Sequence, residues 1–227
     1  MSIRIKSNEE LKIMWQANQI VARTHDLLSK HVKPGVTTME LDQLAKDYIE
    51  SQGAKPSFLN YHGYPGSICA SINDEVVHGI PSKDQEIKDG DVVSLDIGAY
   101  YNGYHGDAAR SYAVGNASDE ALRLIEVTRQ SFFEGMKYAK PGGHLYQISA
   151  AIQNYVESNG YSVVRDLVGH GIGKELHEDP QVPNYKPMGR GPKLQVGMTL
   201  AIEPMVNVGR FDVRTLGDDW TVVTLDG

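Results

Sequence analysis

The chain repeats part of itself once, at a constant spacing of 107 residues, and this spacing restricts its fold more than any other feature. Lys33, Pro34, Gly35, Tyr48, Glu50, Ser51 and Gly53 meet Lys140, Pro141, Gly142, Tyr155, Glu157, Ser158 and Gly160. Leu41 and Ile49 meet Ile148 and Val156. The spacing continues to Gly90 and Asp96, which meet Gly197 and Glu203. Lys-Pro-Gly alone is ordinary helix punctuation, but an unbroken offset over a helix and a strand is hard to reach by chance. We read one domain, residues 1–227, made of two related halves at about 1–115 and 116–227. Each runs helix then strand, with a carboxylate at the same place in the strand. Halves packed about a pseudo-twofold would bring Asp96 and Glu203 towards a shared centre. The offset is far longer than a solenoid period, so the chain is not an array.

Helix signals fit this plan. Ser7-Asn8-Glu9-Glu10 reads as an N-cap with acids in the first turn, followed by Leu11, Met14, Ala17 and Val21 at helical spacing. Thr37-Thr38-Met39-Glu40 opens a second helix, which Gly53 closes. A chain of 227 residues has length enough for a sizeable core. A net charge of -7 without a dense basic run argues against direct nucleic-acid binding. Cys69 is the only cysteine, so no intramolecular disulfide can form. No signal peptide and no 18-residue apolar run is present, so a cytoplasmic protein with no membrane partner is expected.

Residues 91–114 carry the first chemistry. Asn102-Gly103 between two β-rich runs is a strong two-residue hairpin signal. That turn sets Gly98 opposite Asp107 and Asp96 opposite Ala109, so Asp96, Gly98 and Asp107 share one face. Gly98 is expected to leave open space beside the acids. Val93, Leu95 and Ile97 point the other way, into core. Two carboxylates closing on a covered face repel unless a cation neutralises them. The alternative is a pair of solvated aspartates on an open sheet face.

Further donors lie beyond. His170 stands between glycines in Gly169-His170-Gly171-Ile172-Gly173, and His177 follows in His177-Glu178-Asp179-Pro180. Glu203 interrupts the apolar run at 199–204, where an unpaired carboxylate would be costly. His78 sits in the apolar run at 76–81. Any one of these histidines alone reads better as a satisfied core or loop residue. Taken together with the acids, they suit Mn, Fe, Co or Zn better than Ca. Bridging aspartates suit a pair of metals.

The runs at 78–81, 89–107, 169–180 and 197–205 (HGIP, DGDVVSLDIGAYYNGYHGD, GHGIGKELHEDP and GMTLAIEPM) resemble, in this order and spacing, the type I methionine aminopeptidases. The resemblance implies the pita-bread fold, an α+β architecture of two α/β halves with a curved antiparallel sheet backed by helices. It implies removal of N-terminal methionine by two divalent ions, Co, Mn, Fe or Zn. Asp96 would hold one ion, Asp107 both, and His170 and Glu203 the other, with Glu203 also moving a proton. His78 and His177 would bind substrate and steady the reacting oxygen. The methionine pocket would be Phe58, Tyr61, Tyr64, Cys69, Leu176 and Trp220, although these residues by themselves read equally well as ordinary core. The implied partners are nascent polypeptides with N-terminal Met and the ribosome, and a monomer is expected.

The family has one more metal ligand, a glutamate on a strand beyond residue 227. The end of this chain, with a β-rich run at 220–225 and then Asp226-Gly227, reads as half a hairpin. From this we expect a truncated C-terminus, an unpaired edge at 220–225, a single or weakly held metal, and reduced activity. Three rival readings stand beside this one: an aminopeptidase P or prolidase acting on Xaa-Pro peptides, a non-catalytic pita-bread module that binds peptides, and a two-metal phosphatase. The last lacks a visible basic phosphate clamp.

Overall fold

The computed structural model describes residues 2–227. The elements run α1 (Asn8–Leu28), α2 (Thr38–Ser51), β1 (Lys55–Pro56), β2 (Ile68–Ile72), β3 (Glu75–Val77), β4 (Val92–Tyr101) and β5 (Tyr104–Ala113). Then follow α3 (Asp119–Met136), α4 (Leu145–Ser158), β6 (Ser162–Val163), β7 (Gly169–Gly171), β8 (Glu178–Val182), β9 (Leu200–Ala201), β10 (Val206–Asn207), β11 (Val213–Thr215) and β12 (Val222–Thr224). All their strand pairs are antiparallel, divided among four separately bonded sheets.

Local chemistry sets the helices. The Ser7 hydroxyl accepts from the Glu10 amide, and the Glu10 carboxylate accepts from the Ser7 amide, a reciprocal cap worth about 1 kcal/mol. Thr37 and Glu40 do the same for α2. α1 buries Met14, Ala17, Val21 and Leu28 along one stripe, and the stripe packs on β4 and β5.

The β4–β5 hairpin turns at Asn102 (φ 48°) and Gly103 (φ 88°), the positive values that a primed turn requires. Asp96 pairs with Ala109 and Gly98 with Asp107, the register read from the turn. Val93, Leu95 and Ile97 are fully buried on the opposite face, against the apolar sides of α1 and α2. The space beside Gly98 is not open, contrary to the sequence reading. A Cβ there would lie 2.7 Å from both Phe58 and Ser57, so glycine admits the chain after β1 rather than a ligand.

The same main-chain bonds recur 107 residues apart. Gly35 donates to Ile87 and Gly142 to Leu194; Ile87 donates to Val36 and Leu194 to Gly143. Bridges join Thr37 with Glu86 and His144 with Lys193. Gly53 and Gly160 close α2 and α4 at φ 74° and 85°. A second apolar core, including Leu145, Ile148, Ile152 and Val156, lies under α3 and α4.

The expected free edge at 220–225 is absent. β12 lies between β11 and β3, and Thr224 and Leu225 donate to the carbonyls of Asp74 and Asp212. β11, which the sequence reading did not find, supplies the partner that a return strand was expected to provide. Among the described residues no helix is long and apolar enough to cross a membrane.

Candidate metal centre

Asp96 and Asp107 leave adjacent strands of one hairpin on one face. Cys69 on β2 pairs with Asp96 from the other side. The Oδ1 of Asp96 is shut from solvent without a hydrogen-bond partner. Burial raises both carboxyls above their usual range, and the charges of Glu203 on Asp96, and of Asp96 and Glu203 on Asp107, push the same way. Such a pair cannot stay doubly charged in a covered site without a compensating cation.

The second half brings His170 and Glu203 to the same place. His170 lies in β7, where its main chain pairs with Ala201 of β9. Both flanking glycines are needed. A Cβ at Gly169 would lie 2.3 Å from the Ala201 carbonyl oxygen, and one at Gly171 2.3 Å from that of Asp179. The imidazole Nε2 sits 3.7 Å from Asp107 Oδ2 and 3.2 Å from Glu203 Oε1. The second contact is close, yet Glu203 Oε1 lacks the geometry of a hydrogen bond and is a buried oxygen without a partner. Burial pulls the His170 pKa down, but the hydrogen-bonding proximity and charge of Glu203 outweigh it and leave the pKa raised.

Among the described residues no group of three or more His, Cys, Asp or Glu side chains is spaced to hold a metal ion as it stands. The fit to a divalent cation rests on the donor set instead. Three carboxylates and one imidazole converge, two of the carboxylate oxygens are buried and unsatisfied, and the aspartates are destabilised as charges.

His177 lies beside this cluster, its ring centroid 4.2 Å from that of His170. Tyr61 holds it from the other side, with the phenol oxygen 2.8 Å from His177 Nδ1. A phenol donating to Nδ1 leaves the ring hydrogen on Nε2. Partial burial, and then the neighbouring His170, lower the His177 pKa. His78 follows the end of β3 with φ 59°, a backbone conformation uncommon outside glycine. Its ring centroid is 6.5 Å from that of Trp220, and burial lowers its pKa against the opposing charge of Glu203.

All six residues expected at the methionine pocket fall in one apolar cluster. Phe58, Tyr64, Cys69 and Leu176 are buried, while Tyr61 and Trp220 pack on them partly exposed. Tyr64 and Trp220 meet edge to face at 5.1 Å. Sequence reading missed five members, Ile13, Met14, Ile80, Tyr104 and Ile172. Ile172 lay within the glycine-flanked histidine run and could have been read as part of the site. Met14 was visible only as one more residue of a helical stripe. Asn184, whose amide donates to the Glu203 carbonyl at 2.6 Å, carried no signal at all. A cavity of about 320 Å3 shares Met14 and Ile172 with the apolar cluster and reaches Asp107 past Leu11, Trp15 and Asn18, but carries neither His78 nor His177.

The model of metallopeptidase family M24 matches residues 12–223. The chain is 58% identical to methionine aminopeptidase 1 of Bacillus subtilis (strain 168) over 222 residues, 98% of this chain and 89% of that protein. It is 44% identical to the methionine aminopeptidase of Escherichia coli (strain K12), covering 100% of this chain and 86% of that one. The crystal structure of methionine aminopeptidase from Thermotoga maritima superposes with a TM-score of 0.97 at 45% identity, over 99% of this chain and 90% of that one. An Xaa-Pro dipeptidase from Bacillus anthracis shares the pita-bread fold at a TM-score of 0.77 and 30% identity, and this chain covers 54% of it. The proline-peptidase reading is therefore not favoured. By sequence and by fold, the chain belongs to metallopeptidase family M24, and within it resembles bacterial type I methionine aminopeptidases along its whole length.

Proposed function

We infer that this chain is a metal-dependent hydrolase that removes the N-terminal methionine from peptides and newly made proteins. The observation that carries this reading is one site where Asp96, Asp107 and Glu203 crowd together with His170, beside an apolar cluster that holds aromatic rings and Cys69. Likeness to methionine aminopeptidases over the whole chain supports the same substrate.

Asp96, Asp107, His170 and Glu203 would hold divalent metal. When bound, such metal supplies Lewis acidity that lowers the pKa of water and polarises a carbonyl. The remaining work falls to the chain. Phe58, Tyr61, Tyr64, Cys69, Leu176 and Trp220 take the methionine side chain, whose thioether packs well on aromatic edges. A side chain held there would bring the substrate's free amine towards the acidic face of β4 and β5, since Cys69 pairs with Asp96, and this would limit cleavage to the first residue. Glu203 Oε1 accepts a proton from the attacking water and returns it to the leaving amine. With its tautomer set by Tyr61, His177 donates from Nε2 to the oxygen on which charge develops. His78 donates from the opposite wall. Substrates of this class are met on nascent chains, so the enzyme would act as a monomer beside the ribosome.

The test is methionine release from a Met-Ala-Ser peptide with Mn or Co added, alongside a Glu203→Ala variant and an Xaa-Pro peptide. Release by the native chain alone, from the Met peptide alone, supports the reading. Release that survives in Glu203→Ala, or appears only from the Xaa-Pro peptide, contradicts it.

A further inference from the structure

His177 and the pocket residue Leu176 lie in the loop at 172–177, between β7 and β8, which has little regular structure to fix it. The loop is gathered on the carboxylate of Glu178. Glu178 Oε1 accepts from the amides of Lys174, at 2.9 Å, and Glu175, at 3.3 Å. Its Oε2 accepts from Lys6 Nζ at 2.6 Å, and both side chains of this ion pair are only 5% exposed. The lysine comes from the segment before α1, 172 positions away in sequence.

That segment is itself seated. The Lys6 amide donates to the Gly197 carbonyl at 2.8 Å. Gly197 lies at φ 91°, and a Cβ there would come within 2.7 Å of Ile5 and the Lys6 carbonyl. Gly173 clears the ammonium group, since a Cβ there would lie 2.6 Å from Lys6 Cε and 2.9 Å from its Nζ. Arg4 adds only an exposed contact of 3.7 Å to Glu178. The pair therefore acts as a buried strut between the start of the chain and the base of the His177 loop. Hydrophobic residues could join these segments as stably, because a buried ion pair is a poor source of net stability. An ion pair that also draws in two loop amides fixes direction, which packing alone does not.

We propose that Lys6 is a positioning residue for methionine release, acting through Glu178 to hold the loop that presents His177 and Leu176. This rests on the functional reading above. It touches neither substrate nor metal, so its loss should lower turnover through His177, weaken substrate binding to a smaller degree through Leu176, and leave metal affinity nearly as it was.

The test compares Lys6→Met and Glu178→Gln with Ile152→Val, a mild core change far from the loop. Expected for Lys6→Met is a fall in kcat of about 10-fold or more with a smaller rise in KM, and weaker changes in the same pattern for Glu178→Gln. In the metal-free protein, hydrogen exchange at the Lys174 and Glu175 amides should speed up in both variants and stay native in Ile152→Val. Native kcat with native exchange at those two amides, in either folded variant, overturns the proposal. If Lys6→Met does not fold, Glu178→Gln decides alone, because its uncharged oxygen accepts more weakly from the loop amides and no longer pairs with Lys6. If the native chain releases no methionine, the functional reading fails, and the exchange measurement still decides the strut.

Discussion

In the first half, β4 and β5 run ten residues each without interruption and carry Asp96 and Asp107 on one face. In the second half, the pairs β7–β8 and β7–β9 are short, and the register shifts between His170 and Gly171. The main-chain bonds around α2 and α4 nevertheless match at a spacing of 107 residues. The contrast separates two tasks. A long ladder over a large buried core fixes acids that repel each other. A broken, glycine-rich ladder lets an imidazole approach those acids and then turns the chain into the loop that carries His177. We propose that the halves are copies of one unit, specialised in this way.

Removing a donor from either half should have the largest effect. Asp107→Ala and Glu203→Ala should each lower methionine release by about 1000-fold or more in a steady-state assay, since each weakens a metal worth several kcal/mol to the transition state. A variant in one half with near-native turnover would mean that half holds no essential donor.

Next come the cores. Leu95 and Ile152 are both fully buried, one in each half. Truncating either to alanine should cost about 2–5 kcal/mol in denaturant unfolding. If the halves fold as one unit, both variants shift a single cooperative transition. Two separate transitions would break the comparison into independent domains.

A buried histidine in the first half gives a pH-dependent effect of similar or smaller size. His25 bonds the Ala108 carbonyl and Tyr112, and burial holds its pKa down to about 4. As pH falls, the unfolded chain takes up this proton near its ordinary value of about 6.5, whereas the folded chain resists until about 4. Stability from this residue is full above about 6.5 and declines between those values, by up to about 3 kcal/mol. His25→Gln should flatten that part of a pH–stability curve; an unchanged curve would remove His25 as its cause.

The smallest expected difference lies at the helix caps. Thr37 caps α2 through its hydroxyl, whereas at α4 the His144 side chain caps nothing and only Gln147 accepts from the His144 amide. Thr37→Ala should cost about 1 kcal/mol by thermal unfolding, and the capping loss in His144→Ala should be a few tenths at most. Equal losses would show that His144 has a structural role beyond the cap, through its bond to the Gly191 carbonyl at 3.1 Å.

How much of this was legible varies with the range of the forces. Turn chemistry at Asn102-Gly103 is local, so the register that joins Asp96 and Asp107 could be read from the sequence alone. Ser7 and Thr37 likewise announced their helices. The free edge at 220–225 was misread because β11 is three residues long and has no alternating pattern of its own. The space at Gly98 was misjudged because Phe58 fills it from a distant segment. Lys6 and Asn184 matter only through contacts made by the tertiary fold, and a lone lysine or asparagine in a sequence gives no sign of its partner.

The most direct measurement is calorimetric titration of Mn into the metal-free protein and into Asp96→Ala, Asp107→Ala, His170→Ala and Glu203→Ala. A single centre shared by the halves predicts that a substitution in either half weakens binding. Native affinity retained after both changes in one half would place the metal wholly in the other and contradict a shared centre.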